Sequence, residues 1–331
     1  MKNKLVMVLA VMLMSVSGGA QTHTTDTSRA VAALGEFETI FYSKANLVFN
    51  SPVDPRIQGS GIDLLRLPFI YLWEGLGQQS SDFLREVQGS SRAVVVGASD
   101  FRRPAGLGMV RSRRCYIILL KDGSSFDLKK YFREMPSAFA MGEPIRTWSA
   151  ALAEFGEEDL RPSSFYATQF GHSYIVVSND VKELQAVARK LGPKDKEAQA
   201  VDLSPDLALL TGYEYWGYRR YQLTNAIDEQ AGETADIKLG TDALVFHADR
   251  VKKNAVLRFV GAPESVQHTA ANINAKNVLP TFRQFELGIW ESNMSLSEST
   301  PGDRNMPQSK SRQSFDFMAA VFDLFGFGVY S

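Results

Sequence analysis

Pairs of short apolar segments recur along this chain and limit the folds it can adopt, and in two of the three pairs the connection is short. The segments are 92–96 with 115–120, 164–168 with 174–177, and 243–247 with 255–260. They are rich in Val, Ile, Phe and Tyr, a composition that favours β-strands. The short connections of the second and third pairs predict antiparallel hairpins, because parallel strands need long crossovers.

Each strand pair is followed by a helical pattern. In 127–135, Leu128, Tyr131, Phe132 and Met135 have the spacing of one helix face, and Pro136 follows. A second helix is predicted from Asp180, with Glu183 placed as in a capping box. A third is predicted to begin at Pro263. The sequence thus predicts three strand–strand–helix units.

These units predict an α+β fold. We expect an antiparallel sheet built from repeated strand–strand–helix units, with helices packed mainly on one face. Residues 21–294 would form this globular region, as one large domain or two similar subdomains. The single cysteine, Cys115, lies in an apolar strand and permits no disulfide within the chain, so folding has to depend on packing.

The N-terminus has the pattern of a secretory signal. Lys2 and Lys4 precede an apolar run over 5–16, and small residues lie at Gly18 and Ala20. The apolar run is shorter than the roughly 20 residues of a transmembrane helix. We therefore predict a signal peptide over 1–20 and an exported protein, either periplasmic or extracellular, without a transmembrane span after cleavage.

The C-terminal region differs in composition from the rest. Residues 295–314 are rich in Ser, Pro, Gly, Arg and Gln and predict a flexible linker or long loop. Residues 315–331 predict an apolar helix or tail, with Asp316 and Asp323 on one polar edge. This tail, Phe315 to Phe325, either docks onto the domain or contacts a partner or a membrane surface.

Signatures of common catalytic chemistry are absent from the sequence. It contains no phosphate-binding loop, no nucleophile elbow and no His-Glu-x-x-His zinc helix. Among its four histidines, His172 and His247 are the candidates for a catalytic role. Acidic residues between Glu154 and Asp159 are the candidates for paired-carboxylate hydrolysis. We expect no metal and no cofactor.

Two segments are candidate binding sites. The first, 213–221, combines aromatic rings with arginine and predicts a strand with aromatics on both faces. Its candidate residues are Tyr213, Tyr215, Trp216, Tyr218, Arg219, Arg220 and Tyr221. The composition is explained first by burial in the core, and a surface for a ligand or a partner is the alternative.

The second candidate is a group of arginines around the first hairpin, which would contact an anion. These residues are Arg102, Arg103, Arg111, Arg113 and Arg114. Arginine forks suit carboxylate or phosphate, although a charged hairpin loop explains the same residues. The near-neutral net charge of −1 argues against nucleic acid as a partner.

These features lead to three functional hypotheses. The first is an exported, non-catalytic envelope or secreted protein that binds a polysaccharide, a peptide or a protein partner. The second is a secreted hydrolase of cell-wall or extracellular polymer that uses paired carboxylates. The third is a structural or assembly protein that docks through its C-terminal tail.

Overall fold

The structure of the chain is a computed structural model. It describes residues 26–48, 60–74, 80–99, 113–124, 126–131, 133–134, 148–150, 165–170, 173–191, 207, 210, 212–220, 242–276, 279–297 and 309–327. Within these residues the protein has α+β architecture, with one antiparallel sheet and helices on both of its faces.

In the described residues, twelve strands form the sheet. They are β1 (Thr39–Lys44), β2 (Ser91–Ser99), β3 (Arg113–Leu120), β4 (Arg133–Glu134), β5 (Trp148–Ala150), β6 (Phe165–Phe170), β7 (Tyr174–Ser178), β8 (Tyr215–Arg220), β9 (Ala243–Asp249), β10 (Asn254–Val260), β11 (Arg283–Glu286) and β12 (Ile289–Ser295). Their order across the sheet is β11-β12-β10-β9-β8-β1-β2-β3-β7-β6-β5-β4. The three predicted strand pairs are confirmed as the antiparallel pairs β2–β3, β6–β7 and β9–β10.

Seven α-helices accompany these strands in the described residues. They are α1 (26–33), α2 (Ala45–Val48), α3 (Leu67–Glu74), α4 (Ser80–Ser90), α5 (Val181–Leu191), α6 (Pro263–Lys276) and α7 (Lys310–Leu324). Short 3-10 helices cover Asp63–Arg66 and Leu128–Lys130.

The two faces of the sheet bury separate apolar clusters, because successive side chains of a strand point to opposite faces. Tyr116 and Ile118 of β3 belong to one cluster, together with apolar side chains of α3, α4, α6 and α7. We call this side the α7 face. Ile117 and Leu119 belong to the other cluster, with residues of α1 and α5, and we call this side the α1 face. Helices thus lie on both faces, so the predicted one-sided helix layer is not confirmed.

The helix predicted over 127–135 is wrong. Those residues contain the 3-10 helix Leu128–Lys130 and the short strand β4 instead. The side chain of Gln169 on β6 explains this local structure, since it bonds the backbone on both sides of Asp127. Its Nε2 donates to the carbonyl of Phe126 at 3.0 Å, and its Oε1 accepts from the N–H of Leu128 at 3.4 Å. The regular repeat of strand, strand and helix is therefore not confirmed.

The two other predicted helices begin where the sequence indicates. Asp180 caps α5, because its Oδ1 accepts from the N–H groups of Lys182 at 2.7 Å and Glu183 at 3.3 Å. Pro263 is the first residue of α6. The apolar face of α6 is buried through Val266, Ala270 and Ile273, as its spacing indicates.

Helix α7 contributes much of the core on the α7 face. Its buried side chains include Phe315, Phe317, Met318, Val321 and Phe322. The helix begins at Lys310, inside the segment predicted as a linker, and Ser309 caps it by accepting from the N–H of Arg312 at 3.1 Å. Residues 298–308 of that predicted linker, and the predicted signal peptide over 1–20, lie outside the described residues.

Candidate functional site

Strand β8 carries the aromatic segment and has β1 and β9 as its neighbours. The prediction of a strand with aromatics on both faces is confirmed. Tyr215 lies in the core of the α7 face, whereas Trp216 and Tyr218 lie in the core of the α1 face. Trp216 has 0% of its surface exposed. Burial of these three rings favours the core interpretation over a surface platform.

Tyr213 precedes β8 and differs from the three buried rings. It lies in a bend, is partly exposed, and packs against the α1 face instead of the face that Tyr215 occupies. Its ring stacks on the imidazole of His247, with ring centroids 3.9 Å apart and planes inclined by 19°. The simple alternation of a strand would have placed Tyr213 with Tyr215, so this contact depends on the bend.

Two stacked ring pairs form a cluster on the α1 face. Trp216 stacks on Tyr42 of β1, with centroids 5.6 Å apart and planes inclined by 16°. Trp216 is also the direct cross-strand neighbour of His247 on β9. We call Tyr42, Tyr213, Trp216 and His247 the ring cluster. Tyr42 and Tyr213 are its partly exposed members, and Trp216 and His247 are its buried ones.

Two nitrogen atoms of the ring cluster are buried without a hydrogen-bond partner among the described residues. They are Nε1 of Trp216 and Nε2 of His247, the latter on a residue that is 8% exposed. A buried polar atom without a partner loses its hydrogen bonds to water, which costs free energy. Such atoms are therefore candidates for contact with a ligand or an ordered water.

His247 is in its neutral form near pH 7. The pKa of its imidazole is lowered to about 4, mainly by burial and also by the positive charge of Arg258, whereas Asp249 acts in the opposite direction. A neutral imidazole carries one N–H and one bare nitrogen, so it can donate one hydrogen bond and accept one. The ring cluster thus offers aromatic faces together with a neutral donor and acceptor.

An ion pair borders the ring cluster. Lys44, the last residue of β1, pairs with Glu214, which lies between Tyr213 and Tyr215. The N–H of Lys44 also donates to the carbonyl of Glu214 at 3.0 Å. Both side chains are about half exposed, so the pair contributes little to stability, but the backbone bond holds the bend against β1.

Arg219 and Arg220 end β8 in different surroundings. Arg219 donates from Nη1 to the carbonyl of Leu324 at 2.8 Å, at the C-terminus of α7. Carbonyls at a helix C-terminus lack partners within the helix, so this bond has a structural role. Arg220 is exposed, and Tyr221 lies outside the described residues.

The arginines of the second candidate site are not shown to converge. Arg113 pairs with Glu183 of α5. Arg114 is buried and lies over the ring of Phe327, 5.3 Å from its centroid. Arg102, Arg103 and Arg111 lie outside the described residues. The described part of this site therefore consists of arginines with intramolecular contacts.

The catalytic candidates receive little support from the described residues. The acidic segment 154–159 and His172 lie outside them. Cys115 is fully buried, and burial raises the pKa of its thiol, which is the opposite of what a nucleophile needs. Within the described ranges, no group of three or more His, Cys, Asp or Glu side chains is placed to hold a metal ion. No helix there has the length and apolar character to span a bilayer.

The sequence alone indicates His247 only as a catalytic candidate. Its role in the ring cluster follows from the register of β8 with β9, which aligns Trp216 with His247. One signal is present in the sequence: His247 lies two residues after Val245 on the same strand, so both side chains point to the same face of the sheet. The stacking on Tyr213 had no comparable signal, because it depends on a bend.

Comparison with family models and with curated proteins finds no match. Among solved structures, one described as crystal form I of TP0453 matches with 9% sequence identity and a TM-score of 0.40, over 89% of this chain and 97% of that chain. A second, crystal form IV of TP0453, matches with 10% identity and a TM-score of 0.35, over 78% of this chain and 89% of that chain. Similarity this distant assigns neither a family nor a function.

Proposed function

We propose that this protein is exported and binds an envelope or extracellular polysaccharide at the ring cluster, without catalysing a reaction on it. The observation that carries the proposal is the partly exposed ring of Tyr213 stacked on His247, in a cluster whose two buried nitrogen atoms, Nε2 of His247 and Nε1 of Trp216, lack a hydrogen-bond partner among the described residues. Export itself is proposed from the N-terminal pattern of Lys2, Lys4 and the apolar run.

A sugar ring matches the chemistry of the ring cluster. Sugars present an apolar face that stacks on tyrosine and tryptophan, and hydroxyl groups around their edge that donate and accept hydrogen bonds. Tyr42 and Tyr213 would supply the stacking faces. The indole N–H of Trp216 and the neutral imidazole of His247 would supply uncharged hydrogen-bonding partners.

Binding requires a local rearrangement, because Nε1 of Trp216 and Nε2 of His247 are covered. Tyr213 is the residue that can provide it. It lies in a bend before β8, outside the strand ladder, and is partly exposed. Rotation of its side chain would uncover His247 while the backbone bond between Lys44 and Glu214 keeps the bend in place.

Thermal unfolding tests the proposal. The purified protein is titrated with soluble envelope polysaccharides and peptidoglycan fragments, and the unfolding midpoint is measured at each concentration. A ligand at about 100 times its Kd adds roughly 2.7 kcal/mol, which corresponds to a rise of at least a few degrees. We expect Tyr213→Ala to remove the rise.

Tyr166→Ala is the matched control, since Tyr166 on β6 is also a partly buried tyrosine of the α1 face. A rise that survives in Tyr213→Ala would place the ligand elsewhere. A rise with peptides alone would replace the polysaccharide by a peptide. Chromatography of the saccharide after incubation completes the test, because shortened products would contradict a non-catalytic role.

A further inference from the structure

Strand β11 is one edge of the sheet, and an edge strand presents unpaired backbone N–H and C=O groups to its surroundings. All four side chains of β11, Arg283 to Glu286, are exposed. Large apolar side chains are exposed here too, with Phe285 at 53% and Leu287 in the following turn at 80%. The edge therefore combines backbone groups and apolar surface that are both available for contact.

This edge is held in a fixed conformation. The turn between β11 and β12 contains Gly288 with φ of 78°, and its carbonyl accepts from the N–H of Gly261 at 3.1 Å. The guanidinium of Arg258 lies 4.7 Å from the ring centroid of Phe285 and pairs with Glu291 at 2.8 Å. A preformed edge lowers the entropy cost of association.

The charges on β11 are ordered in a self-complementary way. The strand reads Arg283-Gln284-Phe285-Glu286, with a positive charge at one end and a negative charge at the other. Neither Arg283 nor Glu286 has an ion-pair partner among the described residues. The register of β11 with β12 shifts by one residue between Gln284 and Glu286, so Arg283 and Glu286, opposite Glu291 and Ile289, point to the same face. An antiparallel pair of two such strands, centred between Gln284 and Phe285, therefore aligns each Arg283 with Glu286 of the second copy.

We propose that β11 pairs antiparallel with β11 of a second copy of this chain, which joins two sheets about a two-fold axis. In this arrangement the same surface serves on both copies, as in most dimers. Charges on an edge usually reject other strands. Two antiparallel copies of β11 bring opposite charges together in one register. These charges therefore favour pairing with a second copy of this chain over pairing with other strands. Phe285 and Leu287 add apolar area at the contact.

Charge reversal tests the pairing by sedimentation velocity over a range of concentrations. Arg283→Glu or Glu286→Arg alone turns both attractive pairs into repulsive ones, because the two-fold axis doubles each change. We expect each single variant to raise the dimer Kd by roughly ten-fold. The double variant R283E/E286R restores the opposite charges, and we expect its Kd to return to near that of the unchanged protein.

Matched controls are available on α4. Asp82 and Arg85 form an exposed pair there, so Asp82→Arg and Arg85→Glu change the net charge equally, away from β11. We expect them to leave the Kd unchanged. A monomer at all concentrations, a dimer insensitive to the single reversals, or open chains of increasing mass would each overturn the proposal.

Cross-linking gives an independent readout of the same geometry. Gln284→Cys places a thiol next to the two-fold axis, and the only native cysteine, Cys115, is fully buried. We expect a short bis-maleimide to give a covalent dimer of Gln284→Cys and none of Arg85→Cys. Equal yields from both variants would mean that collisions, not pairing, produce the product.

Discussion

Gly217 of β8 lies directly opposite Phe41 of β1, and the Phe41 ring occupies the space that a side chain at Gly217 would need. A Cβ at position 217 would lie 2.3 Å from Cε1 of Phe41. That ring is itself surrounded by Phe322, Phe325 and Phe327, with centroids 5.0 to 5.7 Å away. The ring cannot move without displacing the residues at the end of α7.

We therefore expect Gly217→Ala to lower the free energy of unfolding by about 1 to 3 kcal/mol, as overpacked cores do. The matched control is Gly89→Ala in α4, where a Cβ would meet no atom within 4 Å. Alanine at a helical position stabilises by up to about 1 kcal/mol relative to glycine. Urea unfolding measures both changes, and equal effects of the two variants would contradict the packing argument.

The Trp216→Ala variant tests whether Trp216 in the aromatic segment is a core residue or part of a binding surface. Trp216 is fully buried and packs on Tyr42, so its loss leaves a large cavity. We expect the free energy of unfolding to fall by about 3 to 5 kcal/mol. Chemical denaturation measures it, with Tyr213→Ala as the comparison because that ring is partly exposed. A loss of less than about 1 kcal/mol would mean that Trp216 is not a core residue.

His247→Phe tests the pH dependence of stability. The pKa of His247 is about 4 in the folded protein and near 6.5 when unfolded. Between these values the unfolded state binds more protons, so stability falls as pH decreases from 6.5 towards 4 and is unaffected above 6.5. The loss is on the order of 3 kcal/mol. Phenylalanine does not titrate, so the variant should lose less stability over this range.

Urea unfolding at several pH values checks this prediction. Carboxylates also titrate at the acidic end of this range, and they contribute equally to both proteins. The informative quantity is therefore the difference between the unchanged protein and His247→Phe at each pH. A difference that stays constant from pH 7.5 to 4 would contradict a buried, neutral His247.

Truncation tests the role of α7. A chain ending at Ser297 lacks the helix whose Phe317, Met318 and Phe322 lie in the core. We expect this chain to lose its cooperative thermal transition. A chain ending at Phe327 is the control and should unfold as the full-length protein does. A folded, soluble chain ending at Ser297 would favour the hypothesis that the tail binds a partner.

The strand pairs were predictable because apolar β-branched runs and short turns are local signals. The helix over 127–135 was wrong for a non-local reason. The spacing of Leu128 and Tyr131 fits a helix, but Gln169 bonds the backbone beside Asp127 and Tyr131 bonds Glu86 of α4. Contacts between distant parts of the chain decided the structure there.

The candidate site was predictable to a similar extent. Local composition located the aromatic segment and its strand. Which of its rings are buried in the core depends on the position of β8 in the sheet, because β8 is an inner strand that is covered on both faces. Tyr213 lies in the bend before β8, and His247 lies on β9, which follows β8 only after an intervening segment of chain. No local sequence pattern predicts that these two rings stack.

The central position of β1 has a consequence for how the chain is synthesised. Among the described strands β1 is the first to be made, and β2 can pair with one of its edges early. Its other edge waits for β8, which is made only after β3 to β7. Until then β1 has an open, apolar edge in the middle of the future sheet, where a growing chain is most prone to aggregate. The middle of the sheet is thus closed only when β8 has been made, before the strands and helices that complete the rest of the fold.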